Sequence, residues 1–204
     1  MTSHPNIKIT FNHCFHNWSK RDAGLDIEFL NQKRKCNYDD LIIANGPSLE
    51  KLLSGLKISK GQLVGLKGKQ PIDLDLPVNS ASYILPKVKN ITWIGSSHEK
   101  EYEDLNICYE VGKELINRID KNFKIKLAGK SNMLMEARLR AGSKDRLPLA
   151  GKIEENVYAL GALGSRGFSL GPILGEYIAS LINNTPSPIS AGIALAIEPL
   201  RFKD

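Results

Sequence analysis

No run of this 204-residue chain approaches the ~20 apolar residues that a membrane-spanning helix needs. The N-terminus, MTSHPNIKIT, lacks the apolar core of a secretory signal, so the expected location is the cytoplasm. Cysteine is scarce. Cys14, Cys36 and Cys108 fall into no metal or redox spacing and cannot all pair, so reduced thiols are expected. The stretch HCFH (His13 to His16) has no second Cys/His pair and no nearby carboxylate cluster to complete a four-ligand set, which argues against a metal. Two phosphate-binding signatures are also missing. The absence of G-x-x-x-x-G-K-[ST] argues against a nucleoside triphosphate site, and no G-x-G-x-x-G opens a helix anywhere in the chain.

What is present is an ordinary globular composition, with chain enough to bury a sizeable core as one domain or two small ones. The net charge is +6, and lysines bunch at Lys57, Lys60, Lys67 and Lys69 and again at Lys121, Lys124, Lys126 and Lys130. Such patches attract nucleic-acid phosphates, yet they also make an ordinary solvated surface, and charge alone does not decide between the two.

Period-two alternation predicts strands through Ile7, Ile9 and Phe11 and through Leu25, Ile27 and Phe29. The all-apolar run Leu41 to Ala44, closed by Asn45-Gly46, reads as a strand buried on both faces of a parallel sheet. From 57 to 95 the pattern is one of short strands with Gly and Pro turns: GQLVGLKG, ASYILP, NITWIGSS. Leu105, Cys108, Gly112, Leu115, Ile116 and Ile119 then share one helix face. In NMLMEARLRAGS the period returns to two, with Met133, Met135, Ala137 and Leu139 on one side and Glu136, Arg138 and Arg140 on the other.

The final third is the most informative. NVYALGAL reads as an apolar strand, and a loop bearing Gly161, Gly164, Gly167 and Gly171 leads into a helical stripe of Leu170, Ile173, Leu174, Tyr177, Ile178, Leu181 and Ile182. Ser169 is the expected N-cap and Pro172 falls in the first turn, while Asn183, Asn184, Thr185 and Pro186 end the helix. Strand, glycine loop and helix N-terminus together offer backbone N–H groups and a helix dipole to an anionic or electron-rich ligand. The plainer alternative is that such glycines only pack helix on sheet, as expected for Gly171 and Gly175. The strand-rich middle, bracketed by α/β segments, implies an inserted or side-by-side second sheet.

ARLRAGSKDRLPLAG followed by NVYALGALGSRGFSLGPILGEYIASL resembles the C-terminal signature of the D-amino-acid-oxidase-like FAD-dependent oxidoreductases. Within them, ALGSRG, the tail NNTPSPISAGIALAIEPLRF, IIANG, ISKGQLVGL and WIGSSHEKEYED are most similar to the oxidoreductase half of the bifunctional enzymes of tRNA methylaminomethyl-thiouridine biosynthesis. The resemblance runs from about residue 7 to the C-terminus. It implies an α/β (mixed α+β) fold: a partial FAD-binding, Rossmann-like domain at 1–46, an antiparallel substrate domain with one long helix at 47–145, and a return segment of the FAD-binding domain at 146–204.

The resemblance also implies FAD as cofactor and tRNA, or a small amine or amino acid, as substrate-bearing partner. Its chemistry is oxidation of the C–N bond of a carboxymethylaminomethyl group. By position, Gly164, Ser165, Arg166, Gly167 and Phe168 would approach the flavin, and Asn45-Gly46 would lie on its diphosphate side. Arg166 has three candidate partners in flavin, tRNA and a structural carboxylate. Arg140 is the candidate for a substrate carboxylate, since the resemblance places an arginine of related glycine-oxidising enzymes at this point of LRAGSKD and a guanidinium fork suits bidentate binding, with a surface pair to Glu136 as the alternative. Tyr83 matches an aromatic of the same pocket, with strand packing as its alternative. The missing G-x-G-x-x-G is the family's pyrophosphate site. The chain is therefore expected to need an N-terminal FAD-binding segment, or a partner chain carrying one, before it is active. The alternative functions are a small-molecule amino-acid or amine oxidase of the same family, or a non-catalytic remnant that binds no flavin alone.

Overall fold

The computed structural model of the chain describes residues 4–30, 36–80, 82–102, 104–128 and 133–203. Lys130, Ala81 and Asn132, which figure in the patterns above, lie outside them. The described residues form two compact units. One comprises the chain up to Asn45, residues 51–54 and everything from Leu147 onward; the other comprises 46–50 and 55–146.

The first unit holds two three-stranded sheets. Strands β1 (Phe15–Lys20), β2 (Leu25–Phe29) and β3 (Cys36–Tyr38) form an antiparallel meander. Strand β4 (Leu41–Ile43) lies in a second sheet, described once its partners are placed. The alternation at Ile7, Ile9 and Phe11 produces no strand. Those residues are irregular and exposed, because alternation makes a strand only where a neighbouring strand takes its backbone groups.

The second unit opens with a 3₁₀ helix, Gly46–Lys51. It then forms β5 (Leu56–Lys67), β6 (Val78–Asn79), β7 (Tyr83–Ile84) and β8 (Ile91–Gly95), helix α1 (Tyr109–Phe123) and β9 (Leu134–Ser143). The five strands make one sheet in the order β6-β7-β8-β5-β9, with every pairing antiparallel. GQLVGLKG is not a short strand but the end of the 12-residue β5, and Gly61 and Gly65 sit inside its ladder. The helix begins later than its apolar spacing implied: Cys108 is the N-cap, and Leu105 lies outside, exposed. Leu115, Ile116 and Ile119 of α1 pack on Val64, Leu66, Ile84 and Ile94 of the sheet. Each such fully buried aliphatic side chain contributes ~1.5–3 kcal/mol. Met133 and Met135 pack against this cluster, while Glu136 and Arg138 are exposed, as the period of β9 predicts.

The chain then returns to the first unit with β10 (Leu149–Glu154), β11 (Val157–Gly161), α2 (Gly167–Asn183) and α3 (Ala191–Ala196). β10 and β11 form a hairpin, and β4 pairs parallel to β11 in the order β10-β11-β4. The parallel pairing of β4 agrees with its sequence, but burial on both faces does not: Ile42 is 48% exposed, since β4 is the edge strand among the described residues. Leu174 and Tyr177 of α2 pack with Ala150 and Ile197. The N-cap of α2 is Arg166 rather than Ser169, and Pro172 lies in the helix interior, where its missing N–H removes a ladder bond. Glu154 accepts hydrogen bonds from Trp18 Nε1 (3.2 Å) and pairs with Lys20 (3.0 Å), and these two partners, Lys20 first, lower its pKa. Burial raises the Tyr158 and Tyr177 phenols, assisted by the charges of Asp40 and Glu198 respectively. No helix among the described residues is long and apolar enough to cross a membrane.

Candidate functional site

The open face of the five-stranded sheet carries the second unit's candidate site. Alternation turns Val64, Leu66 and Met135 toward α1, and with them Ile84 and Ile94. Tyr83, Gly95, Leu63 and Glu136 lie side by side across the sheet on the other face, and Arg140 lies on that face further along β9. The Arg140 guanidinium donates to the Ser96 hydroxyl and, at 3.4 Å, to the Ser97 carbonyl. It lies over Gly61, where a Cβ would stand 2.5 Å from Nη2. The pair with Glu136 that was its alternative does not form. Glu136 pairs instead with Arg138 at 3.5 Å, both well exposed. A guanidinium has more N–H donors than these two bonds use, which leaves a fork for a planar carboxylate.

Tyr83 covers Gly95: a Cβ there would lie 2.7 Å from the Tyr83 hydroxyl oxygen and 2.8 Å from Cζ. Tyr83 and Arg140 thus abut two consecutive residues, Gly95 and Ser96, one through its ring and the other through a hydrogen bond. On the opposite side, a buried polar network fixes the segment after β8. Gln62, fully buried, donates from Nε2 to Glu99 (3.0 Å), accepts from the Cys108 N–H (2.8 Å), and its backbone N–H reaches the Ser97 hydroxyl (2.8 Å). Ser97 Oγ in turn donates to Glu99, and Lys60, 5% exposed, donates to the Asn106 carbonyl at 2.6 Å. The carbonyl that receives Arg140 is therefore held from behind. Sequence reasoning missed Gly61, Gly95 and this network. A lone glycine inside an otherwise apolar strand signals close approach of another group, and both glycines carried that signal.

In the first unit, Ala162 (φ 54°) and Gly164 (φ 57°) turn the chain between β11 and α2 through two left-handed residues. Such residues cost roughly 1–2 kcal/mol where a Cβ is present. Gly164, Ser165 and Arg166 are exposed, and Phe168 is fully exposed. Packing does not explain Gly167, Gly171 or Gly175. A Cβ on Gly171 or Gly175 would meet nothing within 4 Å, and one on Gly167 only Leu163 Cδ1 at 4.0 Å, so the helix-on-sheet role expected of Gly171 and Gly175 is not met. The backbone here is bare on a side that the described residues do not fill, which fits a group that approaches backbone closely. Gly46 has φ 63° and opens the 3₁₀ helix. Asn45 lines a largely apolar cleft of about 480 Å³ beside β4, together with Phe15, Ile27, Phe29 and Ile42. Among the described residues no three His, Cys, Asp or Glu side chains converge on a metal geometry, and no disulfide joins Cys14, Cys36 and Cys108.

The fold is that of FAD-dependent amine and amino-acid oxidoreductases. Glycine oxidase from Geobacillus kaustophilus matches with a TM-score of 0.71 at 17% identity, over 92% of this chain and 52% of that one. Iminodiacetate oxidase from Chelativorans sp. matches with 0.68 at 17%, over 93% and 53%. Residues 11–181 match the model of the FAD dependent oxidoreductase family (DAO), and the chain belongs to that family, whose cofactor is FAD. It is similar to the tRNA 5-methylaminomethyl-2-thiouridine biosynthesis bifunctional protein MnmC of Campylobacter jejuni subsp. jejuni serotype O:2, 28% identical over 95% of this chain and 36% of that protein. To MnmC of Idiomarina loihiensis it is 33% identical over 59% of this chain and 20% of that protein. The match thus spans about a third of the length of the first relative, a fifth of the second and about half of the solved structures.

Proposed function

We propose that this chain supplies the substrate face and part of the flavin cradle of an FAD-dependent oxidoreductase that cleaves the C–N bond of a carboxymethylaminomethyl group on a tRNA wobble uridine. The observation that carries the reading is Arg140, a guanidinium held by Ser96 and Ser97 on the open face of a sheet beside Tyr83. Such a group binds the carboxylate that distinguishes this substrate from its product. Tyr83 presents a ring wall and a hydroxyl to the same substrate. Gly164, Ser165, Arg166, Gly167 and Phe168 would hold the flavin ring, with the α2 N-terminus stabilising negative charge on it, and Asn45-Gly46 would serve its diphosphate side. When bound, FAD supplies the hydride acceptor for amine oxidation, and hydrolysis of the resulting imine leaves an aminomethyl group and glyoxylate.

The family's pyrophosphate motif has no counterpart in these 204 residues. A segment carrying G-x-G-x-x-G, on the same longer chain or on a partner, would complete the cradle. The edge of β4, unpaired among the described residues, and the cleft beside it support docking of such a segment's first strand there. On this reading the first unit is the FAD-binding part and the second the substrate domain.

A second reading, oxidation of a free small amine such as glycine or iminodiacetate, is favoured by the solved structures that share the fold. The test is to supply the chain with FAD and the complementary segment, then to measure glyoxylate release from tRNA bearing the carboxymethylaminomethyl group and from free glycine and iminodiacetate. Release from tRNA at far lower substrate concentration supports the first reading. Release from the small amines alone replaces it with the second. No turnover of any substrate by a flavin-loaded assembly leaves a non-catalytic remnant.

A further inference from the structure

The open face of the five-stranded sheet carries a second aromatic ring that the oxidation chemistry does not use. Ile94 turns toward α1, so its neighbours in β8, Trp93 and Gly95, turn to the face that holds Tyr83 and Arg140. Trp93 is paired with Gly65, and its six-membered ring lies against that glycine: a Cβ there would stand 3.0 Å from Cζ3 and 3.2 Å from Cε3. The indole is thus seated on backbone. It is half-buried, whereas Thr92 and Ile94 on either side of it are buried. Aromatic side chains seated on a sheet are platforms on which the bases of single-stranded RNA stack.

A ring that only covers a strand glycine would explain the contact with Gly65. It would not explain the charge on the same face. The charged strand residues there are Lys57, Lys67, Arg138, Arg140 and Glu136, and Glu136 is already paired with Arg138. Lys57 and Lys67 are exposed near the two ends of the 12-residue β5, ~33 Å apart along it, as suits the phosphates of an extended strand crossing the face. Spacing then fixes what fits between Trp93 and Arg140. Ser96, which receives the guanidinium, follows Trp93 by three positions, ~10 Å along extended chain. In a uridine bearing a carboxymethylaminomethyl arm, ordinary bond lengths put the carboxylate oxygens ~7 Å from the ring centre. A charge-assisted N–H···O bond adds ~2.8 Å. We infer that Trp93 is a specificity-determining residue, which stacks on the uracil ring while Arg140 holds the carboxylate of the same nucleotide. The site thereby prefers an amine carried on RNA to a free one.

The inference rests on the proposed function and names the residue that would select its substrate; its test needs no flavin, which keeps the two separable. The chain has two tryptophans, so in a Trp18→Phe background the indole emission reports Trp93 alone. The whole chain is titrated with a heptauridylate whose central base carries the carboxymethylaminomethyl arm, with plain heptauridylate, and with iminodiacetate as a competitor. The expected result is saturable quenching by the armed RNA, at least tenfold tighter than by the plain one. Iminodiacetate should displace the armed RNA only at concentrations at least tenfold higher. With a fluorescent label on the RNA, Trp93→Leu is expected to lose at least tenfold in affinity. Trp93→Phe keeps a ring over Gly65 and should retain most of the affinity, with melting temperatures recorded for both. Arg140→Ala should erase the preference for the armed RNA while leaving the quenching. No quenching by the armed RNA, equal affinity for the two RNAs, unchanged affinity in Trp93→Leu, or equal losses in the Leu and Phe variants overturns the inference. Armed RNA that binds in this way but is not oxidised by the flavin-loaded assembly sinks the proposed function and leaves the role of Trp93 standing. Oxidation of the tRNA without quenching does the reverse.

Discussion

Gly61 and Arg140 share one space: the guanidinium occupies the volume into which any side chain at position 61 would grow, with Nη2 2.5 Å from where the Cβ would be. The obstacle is the far end of a flexible side chain rather than backbone. Gly61→Ala should therefore leave the fold within ~0.5 kcal/mol of the parent while pushing the guanidinium off Ser96. In the flavin-loaded assembly, KM for a carboxylate-bearing amine should rise about tenfold with little change in melting temperature. An unaltered KM would show that Arg140 is not the carboxylate anchor.

Arg140→Ala removes the fork itself. Loss of a charge-assisted hydrogen bond costs ~1.5–3 kcal/mol, or about 10- to 150-fold in kcat/KM. Arg140→Lys keeps the charge without the bidentate geometry and should recover only part of the loss. The comparison of the two variants on carboxylated and decarboxylated amines is the measurement. An equal loss on both amines would mean that the arginine only holds Ser96 and Ser97.

Gly164 is required for its backbone, not for space, since φ is +57° and nothing lies within 4 Å of a Cβ there. Gly164→Ala should cost about 1 kcal/mol, Gly164→Asn less, and Gly164→Val more because a β-branched residue is worst in this region. If the loop holds flavin, retention measured by the ratio of flavin to protein absorbance should fall in the order Asn, Ala, Val. A fully yellow Val variant would exclude the loop from the cradle.

Ile116 and Leu105 test where α1 begins. Ile116→Ala empties a fully buried position and should cost ~2–5 kcal/mol, whereas Leu105→Ala, in exposed chain before the helix, should stay within ~0.5 kcal/mol. Urea midpoints decide it. A comparable loss at both positions would place Leu105 in the helix after all.

Tyr158 and Tyr177 make the stability sensitive to alkali. Their folded-state pKa values are raised, first by burial, so below the unfolded value near ~10 both states are protonated and the contribution is complete. Above it the unfolded chain ionises first, and stability is lost as pH rises through the folded values. Urea midpoints between about pH 9 and 11 should fall less steeply in Tyr158→Phe/Tyr177→Phe than in the parent. Parallel curves would show that these two phenols do not contribute to the loss.

Patterns that depend on one element's own period were legible. The two faces of β9, the stripe of α2 and the partnership of β4 with a parallel strand all follow from spacing. Patterns that depend on a partner were not. Ile7, Ile9 and Phe11 alternate without a neighbour to pair with, and Ile42 looks like a core residue until β4 proves to be an edge. Ser169 has the chemistry of a cap, but the left-handed turn at Gly164 starts the helix earlier. At the candidate site, Arg140 was singled out by resemblance and by the chemistry of a guanidinium. Its support was not, because Ser96, Gln62 and Glu99 come together only through the register of β5 with β8 and the closure of the loop that follows.

The pairing of β4 with β11 joins the two ends of the first unit across the whole of the second. Loop-closure entropy makes that pairing slow while the intervening chain is loose. The second unit brings its own ends together, since Leu56 pairs with Ser143 and the Lys144 N–H reaches the Gly55 carbonyl at 2.8 Å. Once it has formed, the long loop is shortened to a neck. In refolding, the five-stranded sheet is expected to form first and the parallel pair only afterwards, which two-probe stopped-flow refolding would check. Changes that slow the sheet should delay both units, whereas changes in β4 or β11 should leave the first phase untouched.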